Sequence, residues 1–438
     1  MYNFCHDSID YILERGVLMF FERTVRTTIE NINATFPVLL VTGPRQVGKS
    51  TLLESMMEPG RKKVSLDNPT IRAMAISDPE LFLQRYSPPV LIDEAQYAPE
   101  LFPYIKILVD ERKRPGDFWL TGSQMFRMMK NVTESLAGRV GIVPMQGLTN
   151  SEIRGQHFPP FEVNVESLLK RLETTQPMSV TDVFERIYKG SMPRLYEIEG
   201  VNLETFFESY LETYLSRDIR DLGQIANETA FLNFIKVVAA RTATNVNYEA
   251  LAQEVGVSAP TAKSWLSILV SSGIVALIPA YSNNALKRAI KTPRMYFLDT
   301  GLCAHLMGWG SAAVLENSSM SGQFFETWVV AEIYKSYLNA GKRPPLYFYR
   351  DNNKKEIDLI IYQDGTVYPI EIKKGSAPKD AVKNFSVLSP IEAEPSEEDS
   401  FSGAAHLKTK IGTGAVVCLA SDIIPIDKKN WYIPAWLI

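Results

Sequence analysis

One stretch constrains this chain more than any other: Val38-Leu39-Leu40-Val41-Thr42-Gly43-Pro44-Arg45-Gln46-Val47-Gly48-Lys49-Ser50. A short apolar run ends in Thr-Gly, and Gly43-x-x-x-x-Gly48-Lys49-Ser50 fits the phosphate-loop pattern. Such a loop must turn its backbone N–H groups toward phosphate oxygens, which requires glycine where the chain turns tightly and approaches the ligand. Lys49 then meets the outer phosphates as a point charge, and the Ser50 hydroxyl is placed for Mg²⁺. The segment from Thr51 continues as a helix whose N-terminal dipole faces the anion. Gly43, Pro44, Arg45, Gln46, Val47, Gly48, Lys49, Ser50 and Thr51 are thus the candidate cradle for ATP. A chance Gly/Lys loop is disfavoured by the buried-strand pattern before it and the helix after it.

Composition narrows the remaining choices. A chain of 438 residues accommodates about two to four domains, and 45% apolar residues supply their cores. No apolar run approaches the ~18 residues of a membrane span, and no signal-peptide pattern opens the chain. Cys5, Cys303 and Cys418 form no CxxC, and the four histidines have no zinc spacing. These features lead to the expectation of a cytoplasmic, non-membrane protein in a reducing environment. The net charge of −4 requires any nucleic-acid-binding surface to be local.

Residues 1–37 read as amphipathic and helical. Lys62 to Asp67 reads as a second strand stopped by Asn68-Pro69, and Ile71 to Tyr86 has helical spacing. Pro89-Val90-Leu91-Ile92-Asp93-Glu94-Ala95-Gln96 is a short buried strand ending in two acids, the Walker B pattern. Asp93 is placed to hold Mg²⁺ and Glu94 to orient and deprotonate the attacking water; a surface acid pair is the plainer alternative. Asp117 to Gln124 is a strand ending in polar groups, so Ser123 or Gln124 is a candidate sensor of the γ-phosphate or lytic water. Arg139, opening the strand Val140–Met145, is a candidate for neutralising transition-state charge in its own subunit or a neighbour's. Strands alternating with helices in this order indicate a doubly wound parallel sheet.

Gly43-Pro-Arg-Gln-Val-Gly-Lys-Ser50, Ser65-Leu66-Asp67, Ile92-Asp93-Glu94-Ala95-Gln96, Leu120-Thr121-Gly122-Ser123-Gln124 and Ser135-Leu136-Ala137-Gly138-Arg139 occur in that order. The set resembles a prokaryotic family of AAA-type P-loop ATPases with a nuclease-like C-terminal domain of unknown function. The resemblance implies an α/β ATPase core with an additional strand and a catalytic glutamate, a helical and winged-helix middle, and a restriction-endonuclease-like α/β end. It sets expected domains of 1–160 (ATPase), 161–228 (helical lid), 229–300 (winged helix-turn-helix) and 301–438 (nuclease-like).

Val165–Leu172, Val180–Tyr188 and Phe206–Leu222 read as helices, punctuated by Gly190-Ser191-Met192-Pro193. Arg217 is a second candidate for contacting nucleotide, or else an i,i+4 partner of Asp221. From 229 to 300, helices over Phe231–Ala240, Tyr248–Val255 and Pro260–Leu269 precede a hairpin from Ile274 to Leu298. Gly256 and Ser258 punctuate the second and third helices. The third helix would lie in the DNA major groove, and Lys287, Arg288, Lys291 and Arg294 on the wing match phosphate contact. The third helix itself offers only Lys263, and winged helices in ATPases also serve as packing or protein-docking modules.

In the last domain, Phe324–Ile333 is a helix carrying Glu326 and Glu332. Taking Asp364-Gly365 as the centre of a hairpin sets Gln363 opposite Thr366 and, by extension, Asp358 opposite Glu371. Lys373 then shares their face. Opposed carboxylates repel unless a cation lies between them, so Asp358 and Glu371 are candidate ligands of a second Mg²⁺ or Mn²⁺, with Lys373 beside the scissile phosphate. Asp358…Glu371-x-Lys373 resembles the PD-(D/E)xK nucleases, with Glu326 as a further ligand. Pro369 argues for an edge or bulge there, and a degenerate fold used as a platform is the alternative. Ser389–Lys410 reads as an acidic, turn-rich loop.

The expectation is Mg²⁺-dependent ATP hydrolysis that moves a winged-helix and nuclease-like module on or near DNA, in a possible homo-oligomer. The competing reading is an ATP-gated protein-interaction switch with slow turnover.

Overall fold

The computed structural model describes residues 20–123, 132, 135–213, 227–282, 292–351, 353–388 and 409–438. The N-terminal unit runs α1 (Arg26–Thr35), β1 (Val38–Thr42), α2 (Lys49–Ser55), β2 (Lys62–Ser65), α3 (Pro69–Ser77), α4 (Pro79–Arg85), β3 (Val90–Asp93), α5 (Leu101–Arg112), β4 (Phe118–Gly122) and β5 (Val140–Pro144). The five strands form one parallel sheet in the order β2-β3-β4-β1-β5. Strand β4 therefore lies between the strand that feeds the phosphate loop and the strand that ends in Asp93.

Side chains alternate across each strand and both faces are covered, so the strands read as unbroken apolar runs. Val38, Leu40, Val90, Ile92, Phe118 and Leu120 pack with Ala75, Phe82, Ile105 and Val109 of α3, α4 and α5. Leu39, Val41, Leu91, Trp119 and Val143 pack with Ile29 of α1 and with Leu52 and Leu53 of α2. The expected single helix from Ile71 to Tyr86 is two. Asp78 accepts from the Leu81 amide at 2.9 Å, and Pro79 takes the first helical position. That is a helix start within the apolar pattern. Likewise Asn68-Pro69 does not merely end β2: Asn68 caps α3 by accepting from Thr70 and Ile71.

The chain continues through α6 (Asn150–Ile153), α7 (Val165–Thr174), α8 (Val180–Lys189), α9 (Arg194–Glu197) and α10 (Leu203–Thr213). The remainder of the helix expected to reach Leu222, with Arg217, lies outside the described residues. Next come α11 (Glu228–Ala240), β6 (Thr244–Asn245), α12 (Tyr248–Val255), α13 (Ala259–Ser271), β7 (Val275–Ile278) and β8 (Arg294–Phe297). The three strands pair antiparallel in the order β6-β8-β7. Gly256 ends α12 in the left-handed region at φ 74°, and the Ser258 hydroxyl accepts from the Thr261 amide at 3.2 Å to start α13. Lys287, Arg288 and Lys291 lie outside the described residues.

The C-terminal unit contains α14 (Thr300–Leu306), α15 (Ala312–Glu316), α16 (Ser321–Asn339), β9 (Leu346–Arg350), β10 (Glu356–Gln363), β11 (Thr366–Lys373), β12 (Lys410–Ile411), β13 (Gly414–Cys418), β14 (Ile424–Pro425) and β15 (Asn430–Pro434). Its mixed sheet runs β14-β15-β13-β11-β10-β9, with β12 beside β11. The hairpin register is the counted one, Gln363 facing Thr366 through to Leu359 facing Ile370. Pro369 does not mark an edge. Strand β11 is central, paired to β12 at Thr366–Val367 and to β13 from Ile370. The proline falls in the gap between those two partners, where no parallel neighbour calls for its missing N–H. One continuous apolar cluster joins the middle and the end of the chain, with Phe184, Phe231, Trp265, Phe297, Trp328, Ile370 and Trp436 among its members. The expected acidic loop lies outside the described residues from 389 to 408.

Candidate active site

The phosphate loop leaves the carboxyl end of β1. Gly43 has φ 143°, and a Cβ there would stand 1.9 Å from the Met145 carbonyl oxygen, so only glycine fits between this turn and the end of β5. Gly48, at φ 91°, opens α2. The Lys49 side chain is buried and donates to the Gly43 and Pro44 carbonyls at 2.9 and 2.7 Å. Its ammonium thus lies folded into the loop that it is to serve. A Cβ on Gly48 would lie 3.9 Å from Pro193 Cγ, and one on Gly273 3.1 Å from Pro44 Cδ. The Gly-x-x-Pro turn and the α13–β7 turn therefore both stand against the nucleotide loop.

Asp93 ends β3 and gathers hydroxyls from the first turn of α2 and from the ends of β4 and β2. Ser50 donates to it at 2.6 Å, Thr121 at 2.5 Å and Ser65 at 3.4 Å. Ser50 Oγ and the Asp93 carboxylate are hard oxygen donors in contact, a set that fits Mg²⁺. Glu94 follows with φ 57°, a left-handed backbone that costs a non-glycine residue on the order of 1 kcal/mol and that clusters at functional sites. Its amide donates to Thr121 Oγ1 at 3.1 Å, and its carboxylate accepts from Gln96 and, at 3.4 Å, from the Ser123 hydroxyl. Thr121 and Ser123 belong to β4 and its exit, so the intervening strand sets the position of both acids. Thr121 and Gln96 were not singled out in the sequence. The signal was there: a polar residue two before Ser123 at the end of a buried strand. Burial raises the Tyr97 hydroxyl pKa, while the guanidinium of Arg45 beside it acts in the opposite sense, which places Arg45 on the Asp93–Glu94 side of the loop. Gln124 lies outside the described residues.

Arg139 does not reach this site within its own chain. Its carbonyl accepts from the Val38 amide at 3.2 Å, so it sits at the amino end of β1, about 13 Å of strand from the loop. Its guanidinium pairs instead with Asp110 of α5, at 2.5 Å. The reason is direction: in a parallel sheet the residue that opens β5 lies at the edge opposite the one where β1 ends.

A second group of charges lies in the C-terminal unit. Asp358 and Glu371 are buried, at 8% and 6% exposure, and Lys373 reaches both, at 3.1 and 2.7 Å. Asp358 also accepts from the Ile372 amide at 3.0 Å. Glu326 of α16 accepts from Tyr296 at 2.8 Å and from Arg294 at 3.2 Å, and Arg294 also pairs with Glu356. Burial first, and the negative Asp358 second, raise Glu326 and Glu371 to about 7. Glu371 Oε2 is buried without a hydrogen-bond partner. The hairpin thus brings together the predicted residues, but the cations between the carboxylates are the ammonium of Lys373 and the guanidinium of Arg294. Among the described residues no group of three or more His, Cys, Asp or Glu stands at metal-binding spacing. Arg294 also departs from its expected place among the wing cations: at 5% exposure it is turned inward to Glu326 and Glu356, because β8 is the strand shared with the buried core.

Family models match three parts of the chain: an AAA domain over residues 35–154, a domain of unknown function (DUF8612) over 180–313, and another (DUF4143) over 321–438. Two uncharacterized proteins, from Mycobacterium bovis and Mycobacterium tuberculosis, are each 28% identical over 345 residues, 78% of this chain and 71% of theirs. Among solved structures, the Walker-type ATPase of Pyrococcus abyssi is similar at 15% identity and a TM-score of 0.41, covering 66% of this chain and 96% of that one. The Holliday junction branch migration motor RuvB of Thermotoga maritima is similar at 18% identity and a TM-score of 0.28, over 58% of this chain and 87% of that one. Likenesses that loose add nothing to the fold read from the sheet itself. Among the described residues no helix is long and apolar enough to cross a membrane. With the phosphate loop at the end of β1 and two acids at the end of β3, the chain carries an AAA-type P-loop ATPase domain followed, at its C-terminal end, by a domain of unknown function.

Proposed function

We propose that the chain is a Mg²⁺-dependent ATPase whose nucleotide cycle acts on a winged-helix and nuclease-like module at or near DNA. The observation that carries the ATPase reading is the contact between Ser50 Oγ and Asp93 Oδ1 at 2.6 Å, with Glu94 on the next residue held by Gln96 and Ser123. In this reading Lys49 leaves the Gly43 and Pro44 carbonyls to meet the outer phosphates, and the loop N–H groups cradle the rest. Mg²⁺ at Ser50 and Asp93 supplies charge neutralisation on the phosphates. Glu94 orients and deprotonates the water, and Ser123 holds the Glu94 carboxylate in place. Arg139 serves only a neighbouring subunit, which requires a homo-oligomer. Boundaries at 1–160, 161–228, 229–300 and 301–438 complete the reading.

The order helix, strand, two helices and two strands from α11 to β8, with pairing β6-β8-β7, supports the winged-helix reading. Asp358, Glu371 and Lys373 on adjacent strands under α16 support the nuclease-like one. A second Mg²⁺ or Mn²⁺ at Asp358, Glu371 and Glu326 would have to displace Lys373 and Arg294 from those carboxylates. The burial of Arg294 favours a second reading, since it leaves fewer wing cations for DNA: an ATP-gated protein-interaction switch with the last domain as a platform. ATP turnover measured with and without duplex DNA, on wild type and Glu94→Gln, decides. Turnover lost in Glu94→Gln and stimulated by DNA is the expected result. Turnover unaffected by DNA favours the switch, and no turnover by the wild type overturns the ATPase reading.

A further inference from the structure

Arg23 precedes α1 and belongs to none of the motifs above, yet it is buried at 5% exposure. Its guanidinium donates to the Val47 carbonyl at 2.9 Å, inside the phosphate loop, and to the Gln146 and Gly147 carbonyls at 2.7 and 3.3 Å, just past β5. Its remaining side faces Glu152, 3.4 Å from Nε. A planar fork suits this task, since three carbonyls in fixed directions need donors in fixed directions.

Glu152 is a hub. One oxygen accepts from the Thr24 amide at 2.7 Å and from Asn339 Nδ2 at 3.4 Å, the other from the Thr149 amide at 2.9 Å. Burial alone would raise its pKa, but Arg23, the two amides and Lys335 together hold it below the ordinary glutamate value. Asn339 ends α16. One turn and two turns earlier, Lys335 donates to the Leu148 carbonyl at 2.8 Å and to Glu332 at 2.5 Å, and Glu332 accepts from the Asn150 amide at 2.7 Å. The segment from Gln146 to Glu152 is thus gripped by Arg23 on the nucleotide side and by α16 on the other.

We propose that Arg23 is a positioning residue for the phosphate loop, and that Arg23, Glu152 and the last two turns of α16 form a buried polar relay by which nucleotide occupancy is felt in the C-terminal unit. The inference rests on the nucleotide-site reading. When phosphate draws Lys49 away from the Gly43 and Pro44 carbonyls, the loop backbone must readjust. The Val47 carbonyl is the point of the loop to which Arg23 is bound. Any shift there is passed to Glu152 and to the amide of Asn339, because a buried guanidinium–carboxylate pair cannot leave either partner uncompensated. The other end of the same helix carries Glu326.

The test measures ATP binding directly, by calorimetry, and backbone hydrogen exchange of α16 with and without ATP, in the full chain. Wild type should bind ATP and change exchange over Glu332–Asn339. Arg23→Lys keeps the charge beside Glu152 but not the fork. It should raise the ATP Kd about tenfold, the equivalent of one charge-assisted hydrogen bond, and lose the exchange response even at saturating ATP. Asn339→Leu, far from the loop, should keep ATP affinity and turnover and weaken the response, which then runs through Lys335 and Glu332 alone; it decides the matter if Arg23→Lys fails to fold. A wild-type response preserved in both variants, or α16 amides indifferent to bound ATP in the wild type, would overturn the relay while leaving the ATPase reading intact. Absence of ATP binding in the wild type overturns both.

Discussion

Lys335 and Glu332 face each other at 2.5 Å with side chains only 2% and 4% exposed, which makes their removal a quantitative test of how the ATPase domain is joined to the rest. Lys335→Met takes away the ammonium and leaves the Glu332 carboxylate buried, with the Asn150 amide as its remaining donor. Breaking a buried pair from one side costs about 3–5 kcal/mol. The double variant Glu332→Gln/Lys335→Met removes both charges, keeps an acceptor for the Asn150 amide and leaves only neutral groups short of partners, the Leu148 carbonyl and the introduced amide N–H, at about 1–3 kcal/mol. The single change should therefore be worse than the double one. Because a chain of several units does not unfold in one step, the measurement is local: native-state hydrogen exchange of α16 amides, which reports the free energy of opening that segment. At about 1.4 kcal/mol per decade, Lys335→Met should speed exchange by roughly 10²–10⁴-fold, and the second substitution should recover about one decade. Exchange within threefold of wild type in Lys335→Met, or a double variant worse than the single one, would refute the claim that this pair fastens α16 to the segment after β5.

Other outcomes follow from the same geometry. Lys49→Ala should lose ATP affinity, whereas Glu94→Gln should bind ATP and fail to turn it over; equal turnover in Glu94→Gln and wild type removes Glu94 as base. Arg139→Ala loses a surface ion pair with Asp110 and a hydrogen bond to the Ala137 carbonyl and should leave stability nearly unchanged; if a neighbour uses Arg139, mixing this variant with Lys49→Ala should restore some turnover, and mixtures without recovery end the trans role. Neutralising Lys287, Arg288 and Lys291 should flatten the slope of log K for DNA against log salt by up to about three units, and adding Arg294→Gln should not flatten it further. Glu326 and Glu371 titrate near 7 in the folded chain against about 4.3 in an unfolded one. The folded state therefore holds protons that the unfolded state has released, so the C-terminal unit should lose stability as pH rises from about 4 to 7 and level off above; a melting temperature that rises through that window contradicts the assignment.

The ATPase core was legible because its signals are local. An apolar run, a glycine-rich turn and a helix lie within one short stretch, and the acids of Asp93-Glu94 follow a run of aliphatics. The hairpin register was legible for the same reason, since Asp364-Gly365 fixes every pair by counting. What failed was either direction or distance. Arg139 stands next to a strand of the right sheet, but at its amino end, a fact that motif order cannot supply. Arg294 reads as the fourth cation of a basic wing until β8 is seen to face the core, where Glu326, 32 residues away in sequence, takes it. The break between α3 and α4 was written in Asp78-Pro79 and hidden by an apolar period that runs through it. Arg23 had no motif at all: its hydrogen bonds go to backbone carbonyls, which leave no trace in a sequence, and its ion-pair partner Glu152 lies far along the chain.

Helix α16 gives these observations a common frame. Its 19 residues include Glu326 near one end and Lys335 and Asn339 toward the other, about 14 Å from the first to the second at 1.5 Å per residue. Glu326 is bound to Arg294 and Tyr296 of β8, the central strand of the three-stranded sheet, while Glu332, Lys335 and Asn339 are bound to the segment after β5. A continuous helix transmits rotation and translation along its axis because each turn is fixed to the next by its own hydrogen bonds. A displacement at the nucleotide end that strains the Lys335 and Asn339 contacts must therefore be absorbed either there or at Glu326. Absorbing it at Glu326 would loosen Arg294 from that carboxyl and leave Tyr296 as its donor. The prediction peculiar to this arrangement is that Mg²⁺ or Mn²⁺ protects the C-terminal unit from thermal unfolding more when ATP is bound than when it is not. Arg294→Gln should give the same metal protection without ATP. Equal protection with and without nucleotide, or an Arg294→Gln chain indifferent to metal, would show that the two ends of α16 are independent.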